Sequence, residues 1–231
     1  MLKISKRTDV AIDNLDKWAS TKGNGKYISP NFVTGDEHGD VAVQQIRQEL
    51  YEFGVAVESN HLLNGTLLEI GLGNTHGGTS IFWRGLFDKV ISVELVETRI
   101  QRWASENASI MKDTNIIYDK STNSDFSKKH TIVLGRSQDV KLVEFIKNHV
   151  ISVNVVFIDG EHSYGAVKED THLYGPLVKQ GIVAWHDYLA ECWGIGRFLK
   201  DYSVGVIDNK NHEVQYIGRS RDLGIAYERK L

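Results

Sequence analysis

The sequence predicts a three-layer α/β/α domain on a mainly parallel sheet, and three observations carry that reading. An apolar run, Thr66-Leu-Leu-Glu-Ile70, breaks into four glycines within eight positions (Gly71, Gly73, Gly77 and Gly78). It resumes as Thr79-Ser-Ile-Phe-Trp83, the pattern of a buried strand, a tight turn and a helix start. Further apolar runs end in acids at Glu94, Asp159 and Asp187, with helix-period segments between them, as strands of a parallel sheet should read. The chain closes on Val204–Asp208, Glu213–Ile217 and Gly224–Tyr227 around a turn at Asn209–His212, which reads as an antiparallel hairpin.

The glycine turn is built for a nucleotide. Gly71 and Gly73 permit positive φ and a close backbone approach to a ligand, while Gly77 and Gly78 relieve crowding where the helix passes the strand. A dinucleotide fold wants Gly-x-Gly-x-x-Gly, but His76 stands where the third glycine belongs. Glu69, two residues before Gly71, faces an anionic pyrophosphate badly and matches a ligand carrying a cationic amino acid, which favours S-adenosylmethionine. Acid-x-Gly-x-Gly resembles the first motif of the class I methyltransferases. A second acid, Glu94, ends the neighbouring run Lys89-Val-Ile-Ser-Val-Glu94, where a carboxylate accepts ribose hydroxyls.

Length and charge narrow the function. The 231 residues build one substantial core, read as a helical cap over 1–58 and a cofactor-binding domain over 59–231 in a single compact unit. With 27 basic and 30 acidic residues and a net charge of −3, nothing points to nucleic acid or a membrane surface, and the expected partner is a small molecule. One cysteine, Cys192, excludes an internal disulfide framework. It reads as a packing residue, because methyl transfer requires no thiol nucleophile. The N-terminus lacks an apolar h-region and no stretch is long enough to span a bilayer, so the expected location is the cytoplasm.

In chain order, Val10, Leu15, Trp18 and Ala19 mark a first helix over 9–20. A loop over 21–39 follows, from which Asp36 and His38 could reach the site. Val43, Ile46, Leu50, Phe53 and Val57 then predict a helix over 40–57, capped by Asp40. The two N-terminal helices also offer a surface for pairing subunits. Ile100, Trp103, Ala104 and Ala108 predict a helix over 97–111, and residues 119–130 form a polar loop. His130–Gly135 is the third strand, turning at Gly135-Arg136-Ser137 into a helix over 139–149. Val153-Asn-Val-Val-Phe-Ile-Asp159 is a central strand, followed by Gly160-Glu161-His162-Ser163-Tyr164 and another helix, and Leu177–Tyr188 repeats the design. Ligands of open α/β sheets sit at the carboxyl ends of the strands, so Glu69, Glu94, Asp159 and Asp187 should converge on one crevice.

Ile158-Asp-Gly-Glu-His-Ser-Tyr164, Lys168-Glu-Asp170, Pro176-Leu-Val-Lys-Gln-Gly181, Trp185-His-Asp187 and Trp193-Gly-Ile-Gly-Arg-Phe198 resemble one methyltransferase family. It is the one that includes the so-called cephalosporin hydroxylases and the macrolide-sugar O-methyltransferases. The resemblance covers roughly residues 60 to 200. It implies a Rossmann-like methyltransferase fold with a seven-stranded sheet ordered 3-2-1-4-5-7-6, and O-methyl transfer from S-adenosylmethionine to a small-molecule hydroxyl. Glu69, Gly71, Gly73, Glu94, Gly135 and Ser137 would bind the cofactor. Acids matching Asp159 and Asp187 would hold magnesium, with His186 beside them, and a histidine matching His162 would take the hydroxyl proton.

The physical chemistry agrees: a hard cation on two carboxylates lowers a hydroxyl's pKa, and an imidazole near neutrality accepts its proton. Two positions depart from the family. Its adenine turn is usually Gly-Asp-Ser, whereas Arg136 stands here. Its Glu-Asp metal pair is His186-Asp187, and an imidazole suits zinc, iron or nickel better than magnesium, which leaves the metal's identity open. Trp193 could wall the acceptor pocket. Two alternatives stay open on the sequence: a nicotinamide-dependent oxidoreductase, and a non-catalytic binding module on the methyltransferase fold.

Overall fold

The computed structural model describes residues 7–22, 25–28, 41–73, 76–190, 194–218 and 223–231. Asp36, His38, Asp40, Cys192 and Trp193, each given a role above, lie outside the described residues. Helix α1 (Arg7–Ala19), short strands β1 (Gly25–Tyr27) and β2 (Val41–Val43) and helix α2 (Arg47–Ser59) lead into β3 (Thr66–Ile70), α3 (Gly78–Leu86), β4 (Lys89–Glu94) and α4 (Glu97–Glu106). Strands β5 (Thr114–Ile117) and β6 (His130–Leu134) precede α5 (Val140–His149), β7 (Val153–Ile158), α6 (Tyr164–Tyr174) and β8 (Val178–His186). The chain ends with α7 (Ile195–Ser203), β9 (Val214–Ile217) and β10 (Ile225–Lys230).

The main sheet has eight strands in the order β5-β6-β4-β3-β7-β8-β10-β9. From β5 to β8 the pairs are parallel, while β10 runs antiparallel to both β8 and β9. The expected order is present with one strand more: β5 pairs with β6 outside it. This four-residue edge strand next to a polar loop is too short to show a period.

Alternation along the strands separates the two helical layers. Leu67, Val155, Phe157, Ile182 and Ala184 face one side, with α1, α2 and α3. Leu68, Val156, Ile158, Val183 and Trp185 face the other, with α5, α6 and α7. Phe53 of α2, Trp83 of α3 and Phe157 of β7 pack with ring centroids 5.0–5.9 Å apart. Each such buried ring contributes roughly 2 to 3 kcal/mol. No helix among the described residues is long and apolar enough to cross a membrane.

Three boundaries differ from expectation. The helix predicted over 40–57 begins at Arg47, because Val41–Val43 pairs with β1 and the apolar Val43 belongs to that strand. The helix predicted to 111 stops at Glu106 and continues as a 3-10 turn over Ala108–Asp113, where Ala108 is exposed. Val204–Asp208 is a turn, not a strand, with Val204 and Val206 facing solvent.

Gly71 fixes the site's position. Its φ is +95°, and a Cβ there would lie 2.1 Å from the Asp159 carbonyl oxygen, so any side chain pushes the end of β3 off the end of β7. Gly71→Ala should therefore lower the unfolding free energy by at least about 3 kcal/mol, combining left-handed strain with the clash. Urea denaturation tests this, and a midpoint equal to wild type would refute it.

Candidate active site

The ends of the central strands are level. The Gly71 amide donates to the Val93 carbonyl, the Gly135 amide to the Glu94 carbonyl and the Asp159 amide to the Ile70 carbonyl, each at 2.9 Å. Every residue just past a strand therefore opens into the same space. A cavity of about 690 Å³ occupies it, within the range for small-molecule sites. Gly71, Gly73, Glu94, Gly135 and Ser137 line one part, and Asp159, His162, His186 and Asp187 line another. Nine of the ten residues singled out for the site thus share one cavity.

Glu69 is the exception. It alternates along β3 onto the Leu67 face, so its side chain enters the layer beneath α3 and does not line the cavity. It is 1% exposed, and its oxygens accept hydrogen bonds from Trp83 Nε1 at 2.8 Å and Ser92 Oγ at 2.7 Å. Burial pushes its pKa up to about 8, against those two bonds.

Glu94 does face the cavity. Its Oε2 accepts the Leu72 amide at 3.0 Å and its Oε1 the Val96 amide at 2.8 Å, and Arg99 Nη1 stands 3.5 Å away. Two backbone bonds fix the carboxylate while leaving acceptor capacity for a ligand. The turn after β6 is anchored from α6. Tyr174 Oη donates to the Ser137 carbonyl at 2.8 Å, and Gln138 Nε2 donates to Asp170 Oδ1 at 2.8 Å. Burial raises Asp170 to about 7, against hydrogen bonds from Ser137 and Gln138. Arg136 lines the cavity with its Nε donating to Gln138 Oε1 at 3.1 Å.

The other end of the cavity is a cluster of imidazoles and carboxylates. His186 Nδ1 lies 3.0 Å from Asp187 Oδ1 and 3.5 Å from Asp159 Oδ1. His162 Nε2 lies 3.5 Å from Asp159 Oδ1 and 3.4 Å from Asp187 Oδ2. Burial opposes charge on Asp159, His162 and His186. For His186 the carboxylates of Asp187 and Asp159 outweigh it and raise its pKa well above the ordinary imidazole value. For His162 the hydrogen bond and charge of Asp159 outweigh burial and raise its pKa. The two imidazoles in turn hold Asp159 below the usual carboxylate range despite burial. Asp187 sits at φ +60°, a conformation that costs a non-glycine residue about 1 to 3 kcal/mol and that collects at functional sites.

The cluster fits a metal ion. One ligand atom each from Asp159, His186 and Asp187 lie within 4.8 Å of one another. Both ring nitrogens of His186 and Oδ1 of Asp187 are buried without a hydrogen bond, a costly arrangement that a cation would resolve.

One residue of the site carried no signal in the sequence. Gln45, 2% exposed, donates from Nε2 to Asp159 Oδ2 at 2.8 Å, and its Oε1 accepts from Thr79 Oγ1 at the start of α3. A glutamine next to Gln44 ahead of a helix has no distinguishing spacing, and only the fold brings it to β7. Glu161 is exposed and takes the Ser163 hydroxyl at 2.8 Å, with Ser163 capping α6.

Residues 68–188 match the family model described as a methyltransferase domain, more than half of the chain. No curated protein matches in sequence. Among solved structures, the O-methyltransferase from Bacillus cereus in complex with S-adenosylhomocysteine (SAH) superposes with a TM-score of 0.56 at 13% identity, covering 100% of this chain and 93% of that one. The SAH-bound methyltransferase of Podospora anserina gives 0.57 at 14% identity, covering 96% and 88%. MycE, from the mycinamycin biosynthetic pathway, in complex with Mg, SAH and mycinamycin VI, gives 0.54 at 14% identity, covering 94% of this chain and 55% of that one.

The placement of Glu69 yields a sign for its pH dependence. Its folded pKa is about 8 against an ordinary 4.5, so across that window the folded chain keeps a proton the unfolded chain has released. Unfolding free energy therefore falls as pH rises from 4.5 to 8, by on the order of 1.4 kcal/mol per unit of the shift. Glu69→Gln, neutral throughout, should gain stability relative to wild type as pH rises and leave SAH affinity unchanged. Denaturation at pH values across the window, with SAH titration, tests both. A large loss of SAH affinity would return Glu69 to the cofactor site.

Proposed function

We propose that the chain, which belongs to the methyltransferase domain family, is an S-adenosylmethionine-dependent methyltransferase of class I. On that premise it methylates a hydroxyl oxygen of a small molecule with the help of a divalent cation. One observation carries the reading: the glycine turn with Glu94 and the Asp159–His162–His186–Asp187 cluster open into the same cavity. Cofactor and acceptor would thus meet inside one cavity.

Each residue then has a task. Gly71 and Gly73 let the backbone approach the methionine moiety, Glu94 accepts from the ribose, and the Gly135–Ser137 turn borders the adenine. Asp159, Asp187 and His186 would hold the cation, which lowers the pKa of the acceptor hydroxyl when bound. Gln45 fixes one oxygen of Asp159, leaving Oδ1 directed at the imidazoles. His162 takes the hydroxyl proton as the acceptor oxygen forms its bond to the methyl carbon. The carbon–sulfur bond breaks in line, and its electron pair neutralises the sulfonium. Positioning supplies much of the rate, because the reacting atoms must be held within near-attack distance. A small molecule suits the cavity, and MycE, a structural neighbour, is bound to mycinamycin VI.

The test has two arms. SAH at about 100 times its dissociation constant should stabilise the fold by about 2.7 kcal/mol, read as a rise in Tm. Methyl transfer from labelled S-adenosylmethionine to a panel of hydroxylated small molecules should fall by about 10²- to 10⁴-fold in His162→Ala while the SAH effect persists. Full activity in that variant would remove His162 as the base. SAH binding with no transfer to any hydroxyl would favour a binding module.

A further inference from the structure

Resting on the metal-assisted reading above, we infer that the Asp159–His186–Asp187 centre takes a borderline transition ion, of the class of zinc, iron(II) or cobalt(II), through the His186 imidazole, and discriminates against magnesium. Three observations lead there. The first is the donor set, two carboxylates and one imidazole. Magnesium favours oxygen ligands and retains much of its water, whereas imidazole nitrogen suits zinc, iron and nickel.

The second is spacing. The His186 nitrogen stands 3.0 Å and 3.5 Å from the two carboxylate oxygens. Around an ion with bonds of about 2.1 Å, neighbouring ligands lie roughly 3.0 Å apart in an octahedron and roughly 3.4 Å in a tetrahedron. The two separations from His186 are therefore those of neighbouring ligands on a small divalent ion.

The third observation concerns His186 itself. It is 2% exposed, and neither ring nitrogen has a hydrogen bond, although two carboxylates are close. An imidazole present only for packing would ordinarily satisfy one nitrogen from a backbone or side-chain group. Here β8 delivers the ring to the carboxyl end of the sheet, and the left-handed turn at Asp187 brings the next side chain alongside it. Gln45 meanwhile occupies Asp159 Oδ2, so the remaining Oδ1 is the atom facing the ring.

Most nitrogen- or oxygen-donor sites bind late transition ions more tightly than magnesium, so a preference in the wild type alone decides nothing. The discriminating quantity is how that preference changes when the imidazole is replaced. Full-length protein stripped with chelator is titrated with cobalt(II) and followed by its visible absorption, with magnesium as competitor, for wild type, His186→Glu and His186→Asn. One cobalt should bind per chain. His186→Glu should reduce the cobalt-to-magnesium affinity ratio by about tenfold or more, and His186→Asn should weaken cobalt by a similar factor.

An unchanged ratio in His186→Glu, or no stoichiometric cobalt in the wild type, overturns the inference. The Tm rise with SAH, measured on the same samples, shows that each variant is folded and separates the two readings. Failed metal binding with an intact SAH response and methyl transfer sinks this inference alone. Cobalt binding through His186 without an SAH response leaves the metal centre standing and removes the methyltransferase mechanism around it.

Discussion

The approach of Gly71 to the Asp159 carbonyl is the constraint on which the rest of the site depends. Parallel strands β3 and β7 pair directly, and the Asp159 amide continues their ladder onto Ile70. The chain can leave β3 at that point only without a side chain, because the carbonyl oxygen occupies the place of a Cβ. The glycine turn and the acid that starts the second cluster are consequently one piece of backbone geometry. Past the turn, α3 meets a similar demand from another direction. Gly77 is left-handed, and a Cβ there would strike the Trp103 ring of α4, whose Nε1 donates to Ser80 Oγ on α3. The short helix is thereby fixed against both its neighbours.

Two buried carboxylates show how the same desolvation has opposite outcomes. Glu69 lies within β3 and Asp159 just past the end of its neighbour β7, and burial pushes the pKa of each upward. Glu69 meets neutral donors, an indole and a hydroxyl, and remains well above its ordinary value. Asp159 meets two imidazoles able to carry charge, and its value falls. The difference lies in partner charge, not depth, because hydrogen bonds from neutral groups offset only part of the cost of burying an anion. Buried charge thus gathers at the strand ends of β7 and β8, where an ion or a charged ligand would exchange with it.

Much of this was legible in the sequence because it rests on period and order. Acids ending apolar runs must emerge at the carboxyl edge of a parallel sheet, so Glu94, Asp159 and Asp187 could be placed together without any distance. The same rule does not bring Glu69 to the cavity. It lies within its strand, not beyond it, and alternation sends its side chain into a helical layer. The extra strand β5 and the late start of α2 were missed for a related reason: three or four residues hold too little periodicity to oppose a neighbouring pattern. Gln45 could not be found at all, since its partner is 114 residues away and only tertiary packing joins them.

That glutamine links the parts of the site that the sequence presents separately. Its amide has unlike ends: nitrogen donates to Asp159 at the end of β7, and oxygen receives Thr79 in the first turn of α3. A carboxylate could make only the second contact and would set a like charge against Asp159, while an apolar side chain would strand both partners in a buried place. Gln45 follows β2 and precedes α2, both in the helical layer shared with α3. The N-terminal segment therefore does more than cover the sheet. It holds the orientation of the acid that faces both imidazoles, and it does so through the same side-chain amide that fixes the start of the helix after the glycine turn.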